Sequence, residues 1–127
     1  MILSTGIDII EVYRIRETMA RTPRFAARVF TDTEREYCET KGVAAAQSYA
    51  ARFAAKEAFL KALQTGWRGK ITWQDIEIVS SPGGIPSLNI RGEAARLMEQ
   101  MGATNVHLSI SHTSEHAIAQ VILEKRS

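Results

Sequence analysis

Hydrophobic positions recur with two different periods along the chain, and the changes of period mark the elements. Residues 2 to 11 carry Ile2, Ile7, Ile9 and Ile10, β-branched bulk that predicts a strand, and Gly6 leaves room for another backbone or a ligand to come close. Asp8 interrupts that strand. From Glu11 to Ala20 the spacing of Val12, Ile15 and Met19 is helical. Thr22-Pro23, an N-cap followed by proline at the first helical position, predicts a restart through Phe25, Ala26, Val29 and Phe30. Thr31 and Glu34 have the spacing of a capping box, so a third helix should carry Tyr37 and Cys38 inward until Gly42 stops it.

The alanine-rich run from Val43 leads into the longest helical pattern, which should end near Thr65-Gly66. At about 100° per residue, Ala46, Tyr49, Ala50, Phe53 and Leu60 fall on one side, with Glu57 projecting from the middle of that stripe. Trp67 to Lys70 reads as a loop, and Gly69 between Arg68 and Lys70, with Gly66 just before, suits a phosphate as well as a plain connector. Residues 75 to 79 alternate as a strand, Ser81-Pro82-Gly83-Gly84 turns the chain, and 87 to 90 returns. Glu93 to Met101 is a helix with Ala94, Leu97, Met98 and Met101 inward and Gly102 as its stop. Val106, Leu108 and Ile110 alternate with His107, Ser109 and Ser111, and after a turn at 112–115 a last strand runs through Ile118, Val121 and Leu123. The pattern predicts an α+β fold: a mainly antiparallel sheet that uses all five strands together, packed against one long helix and several short ones.

Composition narrows the class. A chain of 127 residues, 45% hydrophobic and 24% charged, fits one globular domain and excludes disordered and fibrous classes. No run approaches a membrane span and the start lacks a charged leader, so the expected location is cytoplasmic, without a membrane partner. Cys38 is the only cysteine, which rules out a disulfide framework or a thiolate metal cluster. The net charge of +2 hides a cluster: Arg14, Arg16, Arg21, Arg24 and Arg28 are opposed within their interval only by Glu17. Such a cluster suits docking of something acidic, whether nucleic acid, phosphate or an acidic protein, and also suits a solvated helix face.

Two acids need explaining. Glu57, set in an apolar stripe, requires a cation, a metal or a water-filled cleft, and Lys61 one turn later is the nearest cation in sequence. Asp8 is a residue type depleted from strands. Together they offer two hard oxygen ligands, one on a strand and one on a helix that packs against it, which suits Mg²⁺ completed by water and substrate phosphates, with Lys61 neutralising a phosphate oxygen. Ser111 and His112 do not make a hydrolase pair, because adjacent strand residues point to opposite faces. His112 and His116 lie in a turn and strand, where i, i+4 spacing no longer brings zinc ligands together.

These residues resemble a known family. Gly6-Ile7-Asp8-Ile9, then Arg52-Phe53-Ala54-Ala55-Lys56-Glu57-Ala58 with Lys61-Ala62, then Ser109-Ile110-Ser111-His112-Thr113 look like the three motifs of the 4′-phosphopantetheinyl transferases, in the order and chain length of the short bacterial holo-acyl-carrier-protein synthase subgroup. The resemblance also takes in Gly66 after the helix and Asp75-Ile76-Glu77-Ile78. It implies movement of the phosphopantetheine arm of coenzyme A onto a serine of apo acyl carrier protein, releasing adenosine 3′,5′-bisphosphate. It places Mg²⁺ on Asp8 and Glu57, with Lys61 as a second positive contact, and leaves open whether Glu57 takes the serine proton directly or through a metal-bound water. His112, with Ser111, Thr113 and Gly66, would bind coenzyme A. Arg14, Arg21, Arg24 and Arg28 would dock the acidic carrier. A homotrimer with sites between protomers follows, so that His112 of one protomer would serve the site holding Asp8 of another. One departure is Gly84-Ile85-Pro86, where the family often has a basic residue before the proline. The competing readings of the same residues are a non-catalytic nucleic-acid or polyanion binding module and a metal-dependent nuclease or phosphodiesterase.

Overall fold

The computed structural model describes residues 1–64 and 70–127. In order they form β1 (Ile2–Glu11), α1 (Val12–Arg21), α2 (Phe25–Val29), α3 (Asp32–Glu39), a 3-10 turn at Gly42–Ala44, α4 (Ala45–Leu63), a second 3-10 turn at Trp73–Asp75, β2 (Ile76–Ser80), β3 (Pro86–Ile90), α5 (Gly92–Gln100), β4 (Asn105–His112) and β5 (His116–Glu124). The α+β class is the one the periodicity predicts, but the five strands do not share a sheet. β1, β5 and β4 form one antiparallel sheet in that order, and β2 and β3 pair separately as a hairpin. Alternation fixes which face of a strand is buried, not which strand lies beside it. Leu88 and Ile90 of β3 and Val106 and Leu108 of β4 pack on one core cluster without a shared ladder. No helix among the described residues is long and apolar enough to cross a membrane.

α4 is the axis of the molecule, and its burial departs from the expected single stripe. Tyr49, Ala50, Ala54, Ala55, Ala58, Phe59, Leu60, Ala62 and Leu63 are buried, and so are Arg52 and Lys56. The helix lies between the three-stranded sheet and the hairpin, so nearly every side meets protein; the predicted middle of the apolar face, Glu57, lies instead on the least covered row, with half-buried Phe53 before it and exposed Lys61 after it. Its described end is Gln64, a C-cap in the left-handed conformation at φ 62°, while the expected stop at Thr65-Gly66 and the loop residues Trp67, Arg68 and Gly69 lie outside the described residues.

The sheet reaches α4 through small side chains. A Cβ on Gly6 would stand 2.0 Å from the Ala58 carbonyl oxygen and 2.7 Å from the Ala62 amide nitrogen, so the backbone of β1 crosses the helix in direct contact. Ser4, two residues earlier on the same face, donates its hydroxyl to the Ala62 carbonyl at 2.6 Å. Asp8, two residues later, is carried to the same side, while Ile7 and Ile9 point away and remain exposed.

The shorter elements follow local rules with one exception. Both bonds of the Thr31–Glu34 capping box are formed, and Cys38 is buried behind it. Thr22, expected as the cap of α2, instead closes α1, its amide bonded to the Thr18 carbonyl, and α2 starts only after Arg24 with no side-chain cap. Thr22-Pro23 instead forms a turn, the Phe25 amide bonding the Thr22 carbonyl at 3.0 Å.

Opposite the sheet, polar groups hold the hairpin to α4. Glu34 and Lys56 form an ion pair at 2.9 Å with both side chains fully buried. The Lys56 ammonium also donates to the carbonyls of Trp73 at 3.0 Å and Ile76 at 2.5 Å, and the other Glu34 oxygen accepts the Ile78 amide at 2.8 Å. Burial pulls the Lys56 pKa down, with the Glu34 charge pulling against it.

The β1–α4 crossing gives a direct test of the fold. Gly6→Ala forces strand and helix apart and should lower unfolding free energy by about 3 kcal/mol in urea titration, the upper end of overpacking costs. A loss within error would show that the contact is not limiting.

Candidate functional site

β1 and α4 bring together three of the side chains expected from sequence. Lys61 Nζ donates to Asp8 Oδ1 at 3.0 Å and to the Ile7 carbonyl at 3.1 Å, its own side chain largely exposed and that of Asp8 mostly covered. Glu57, half-buried one turn before Lys61, has its carboxyl pushed up first by burial and then by the Asp8 charge, with Lys61 opposing both. Among the described residues no cation forms an ion pair with Glu57. Asp8 is therefore tied to Lys61 and Glu57 is not.

This donor set fits a hard divalent cation. Two carboxylates repel at close quarters, and an oxygen-seeking ion between them would relieve the penalty on Glu57. No group of three or more His, Cys, Asp or Glu side chains arranged for metal binding occurs among the described residues, so further ligands would be water or substrate oxygens.

The third motif is split by the strand. His112 pairs with Ala117 and Ser111 with Ile118 across β4 and β5, so the two face opposite sides of the sheet. Thr113 belongs to the turn, its hydroxyl oxygen accepting the amides of Glu115 at 3.2 Å and His116 at 3.0 Å. Only His112 of the three lines a cleft of about 350 Å³, together with Tyr37, Lys41, Arg52, Ser80 and Pro86. Gly66 lies outside the described residues.

Arg52, Lys41 and Tyr37 were not singled out from sequence as site residues. The Arg52 guanidinium is buried, sits 4.0 Å from the Tyr37 ring centroid and donates to Ser80 Oγ at 3.0 Å. Its Nε–H is buried with no partner among the described residues. Burial raises the Tyr37 pKa, but hydrogen bonds to Ser80 and Lys41 and the charges of Lys41 and Arg52 outweigh it, for a net lowering. Three cationic or protonatable groups around an orphaned donor make this cleft fit an anion. The one sequence signal was an arginine at a helix position that neighbouring alanines mark as interior.

Arg14, Arg21, Arg24 and Arg28 are exposed on or beside α1 and α2. Arg14 pairs with Glu11 at 3.0 Å and Arg21 with Glu17 at 3.6 Å, surface pairs that cost little to exchange for another acid. Arg28 borders a second cleft with Ile71, Thr72, Trp73 and Gln74.

The carboxylate pair makes a metal-linked prediction. Glu57→Gln should raise the melting temperature of metal-free protein by a few degrees, because a neutral amide replaces a penalised carboxylate. Mg²⁺ should raise the melting temperature of the wild type and not that of the variant; equal shifts in both would remove Glu57 from the metal site.

Comparison with known proteins gives a consistent picture. The model of the 4′-phosphopantetheinyl transferase superfamily matches residues 4–121. A holo-[acyl-carrier-protein] synthase of Koribacter versatilis is 49% identical over 125 residues, covering 98% of this chain and 99% of the relative. Among solved structures, a holo-(acyl-carrier-protein) synthase of Bacillus anthracis in complex with CoA (3′,5′-ADP) superposes with a TM-score of 0.81 at 38% identity, covering 99% of each chain. A Helicobacter pylori holo-[acyl-carrier-protein] synthase in complex with coenzyme A gives 0.81 at 33% identity, covering 94% of this chain and 99% of that one.

Proposed function

The chain belongs to the 4′-phosphopantetheinyl transferase superfamily, and from that premise we propose that it transfers the phosphopantetheine arm of coenzyme A to a serine of apo acyl carrier protein, as a cytoplasmic, single-domain, Mg²⁺-dependent enzyme. The observation that carries the proposal is the meeting of Asp8, Glu57 and Lys61 where β1 crosses α4. Asp8 and Glu57 would hold Mg²⁺, and Lys61, which bonds Asp8, would supply a positive contact to a phosphate oxygen. Mg²⁺, when bound, supplies positive charge against the diphosphate and the leaving bisphosphate. Glu57 takes the proton of the carrier serine, directly or through water.

The basic cleft supplies the second half of the site. Arg52, Lys41 and His112 suit the phosphorylated nucleotide end of coenzyme A. Arg52 precedes Glu57 by five residues, about 140° round the helix, so the cleft and the carboxylates open on different sides of one chain. A site shared between copies reconciles them. The outer face of the three-stranded sheet offers a surface for such copies, since Ile7 and Ile9 of β1 and Ile118 of β5 are exposed with Ile9 directly opposite Ile118. The family resemblance implies that these copies form a homotrimer, and light scattering should report three chain masses; a monomer that is fully active would remove the shared site. The arginines of α1 and α2 guide the acidic carrier, an attraction that fades with salt.

The intact mass of an apo carrier protein after incubation with coenzyme A and Mg²⁺ tests the activity. The carrier should gain the phosphopantetheine mass, a gain that Asp8→Asn and Glu57→Gln abolish, whereas Arg14→Glu raises the carrier concentration needed. No mass gain, with cleavage of nucleic acid or binding to it instead, would replace this reading by the nuclease or the binding module.

A further inference from the structure

We propose that the buried Lys56–Glu34 pair is a positioning device: it fixes the rotation of α4 about its own axis and thereby holds Glu57 against Asp8. The inference rests on the reading of Asp8 and Glu57 as the metal-holding pair.

The two sides of α4 grip differently. Toward the sheet, the helix presents methyl groups and bare backbone, with Ala58 and Ala62 under Gly6. Such a surface permits close approach but resists rolling weakly, because methyl contacts are non-directional. The exceptions are the Ser4 hydroxyl, which bonds a helix carbonyl rather than a side chain, and Lys61, which reaches the Ile7 carbonyl and Asp8 but on a long, largely exposed stem that can follow a roll of the helix. Toward the hairpin, one Lys56 ammonium uses its three protons on three acceptors that converge from Glu34, Trp73 and Ile76. Glu34 is fixed in turn by the amides of Thr31 at 2.9 Å and Ile78 at 2.8 Å. Phe53, stacked on Trp73 with centroids 5.1 Å apart, joins this same segment to the exposed row on which Glu57 sits.

Stability alone does not call for this arrangement. A buried ion pair is often matched or exceeded in stability by apolar residues of similar volume. What the charged pair adds is direction. Lys56 immediately precedes Glu57, so a roll of the helix that loosens the Lys56 bonds also swings Glu57 relative to Asp8, whose place is set by the strand.

The experiment uses direct Mn²⁺ binding to the whole protein without substrates, followed by electron paramagnetic resonance. Two variants are compared with the wild type and with Glu57→Gln: the near-isosteric Glu34→Gln/Lys56→Met, and Glu34→Asp, which keeps the charge and shortens its reach. Circular dichroism and thermal unfolding select the variants that are folded at the assay temperature. The folded variants should bind Mn²⁺ about tenfold more weakly, as loss of an outer-shell partner does, and the Mg²⁺ concentration for half-maximal turnover should rise in step while saturating Mg²⁺ restores kcat. Wild-type Mn²⁺ affinity in a folded Lys56 or Glu34 variant, with affinity lost in Glu57→Gln, would overturn the positioning role alone. Unchanged affinity in Glu57→Gln would overturn the carboxylate reading and this inference with it. If the double variant does not fold, Glu34→Asp decides; weakening that is reversed by Glu34→Asp/Lys56→Arg, with its longer cation, would support the positioning role over a general loss of stability.

Discussion

The structure depends on how closely β1 can approach α4. A strand and a helix packed through ordinary side chains stand far enough apart that short acids on each point into different spaces. Here Gly6 and the alanines of α4 remove that separation, and Asp8 arrives beside Glu57 and Lys61 with no loop to carry it. The candidate site is thus built on two regular elements, whose backbone bonds hold the acids more stiffly than a loop would.

The close approach explains the composition of α4. Ala58 and Ala62 serve the sheet, Tyr49, Ala50, Ala51 and Phe53 serve the short helices at its amino-terminal half, and its buried cations serve the hairpin. One helix carries three kinds of interface, which is why no single apolar stripe describes it. The same crowding raises the Glu57 pKa and lowers that of Lys56, neighbours in sequence that burial affects in opposite directions because their charges are opposite.

Much of this was legible in the sequence, and the misses have physical causes. Strand and helix positions follow from local periodicity, and Asp8 with Glu57 stood out because acids in such settings require partners. Gly6 was legible as a place of close approach, though not what would approach it. The division of the strands into two sheets was not legible, since pairing depends on long-range packing that alternation does not encode. Lys56 and Arg52 entered only as motif residues: the alanines around them mark interior positions, but nothing local reveals that a capping-box glutamate will be buried to meet one and a serine and a tyrosine ring the other. Thr113 was named through its motif, and its hydroxyl oxygen is engaged in the turn between β4 and β5.

The alternation of β1 has an evolutionary consequence. Ile7 and Ile9 face outward and Asp8 inward, interleaved on one short ribbon. A deletion or insertion of one residue upstream that shifted the strand by a single step would exchange the two sets at once, exposing the acid and driving isoleucine into the helix. The length of this segment is therefore fixed more tightly than its composition, and drift along it should proceed by replacement and never by a change in residue count.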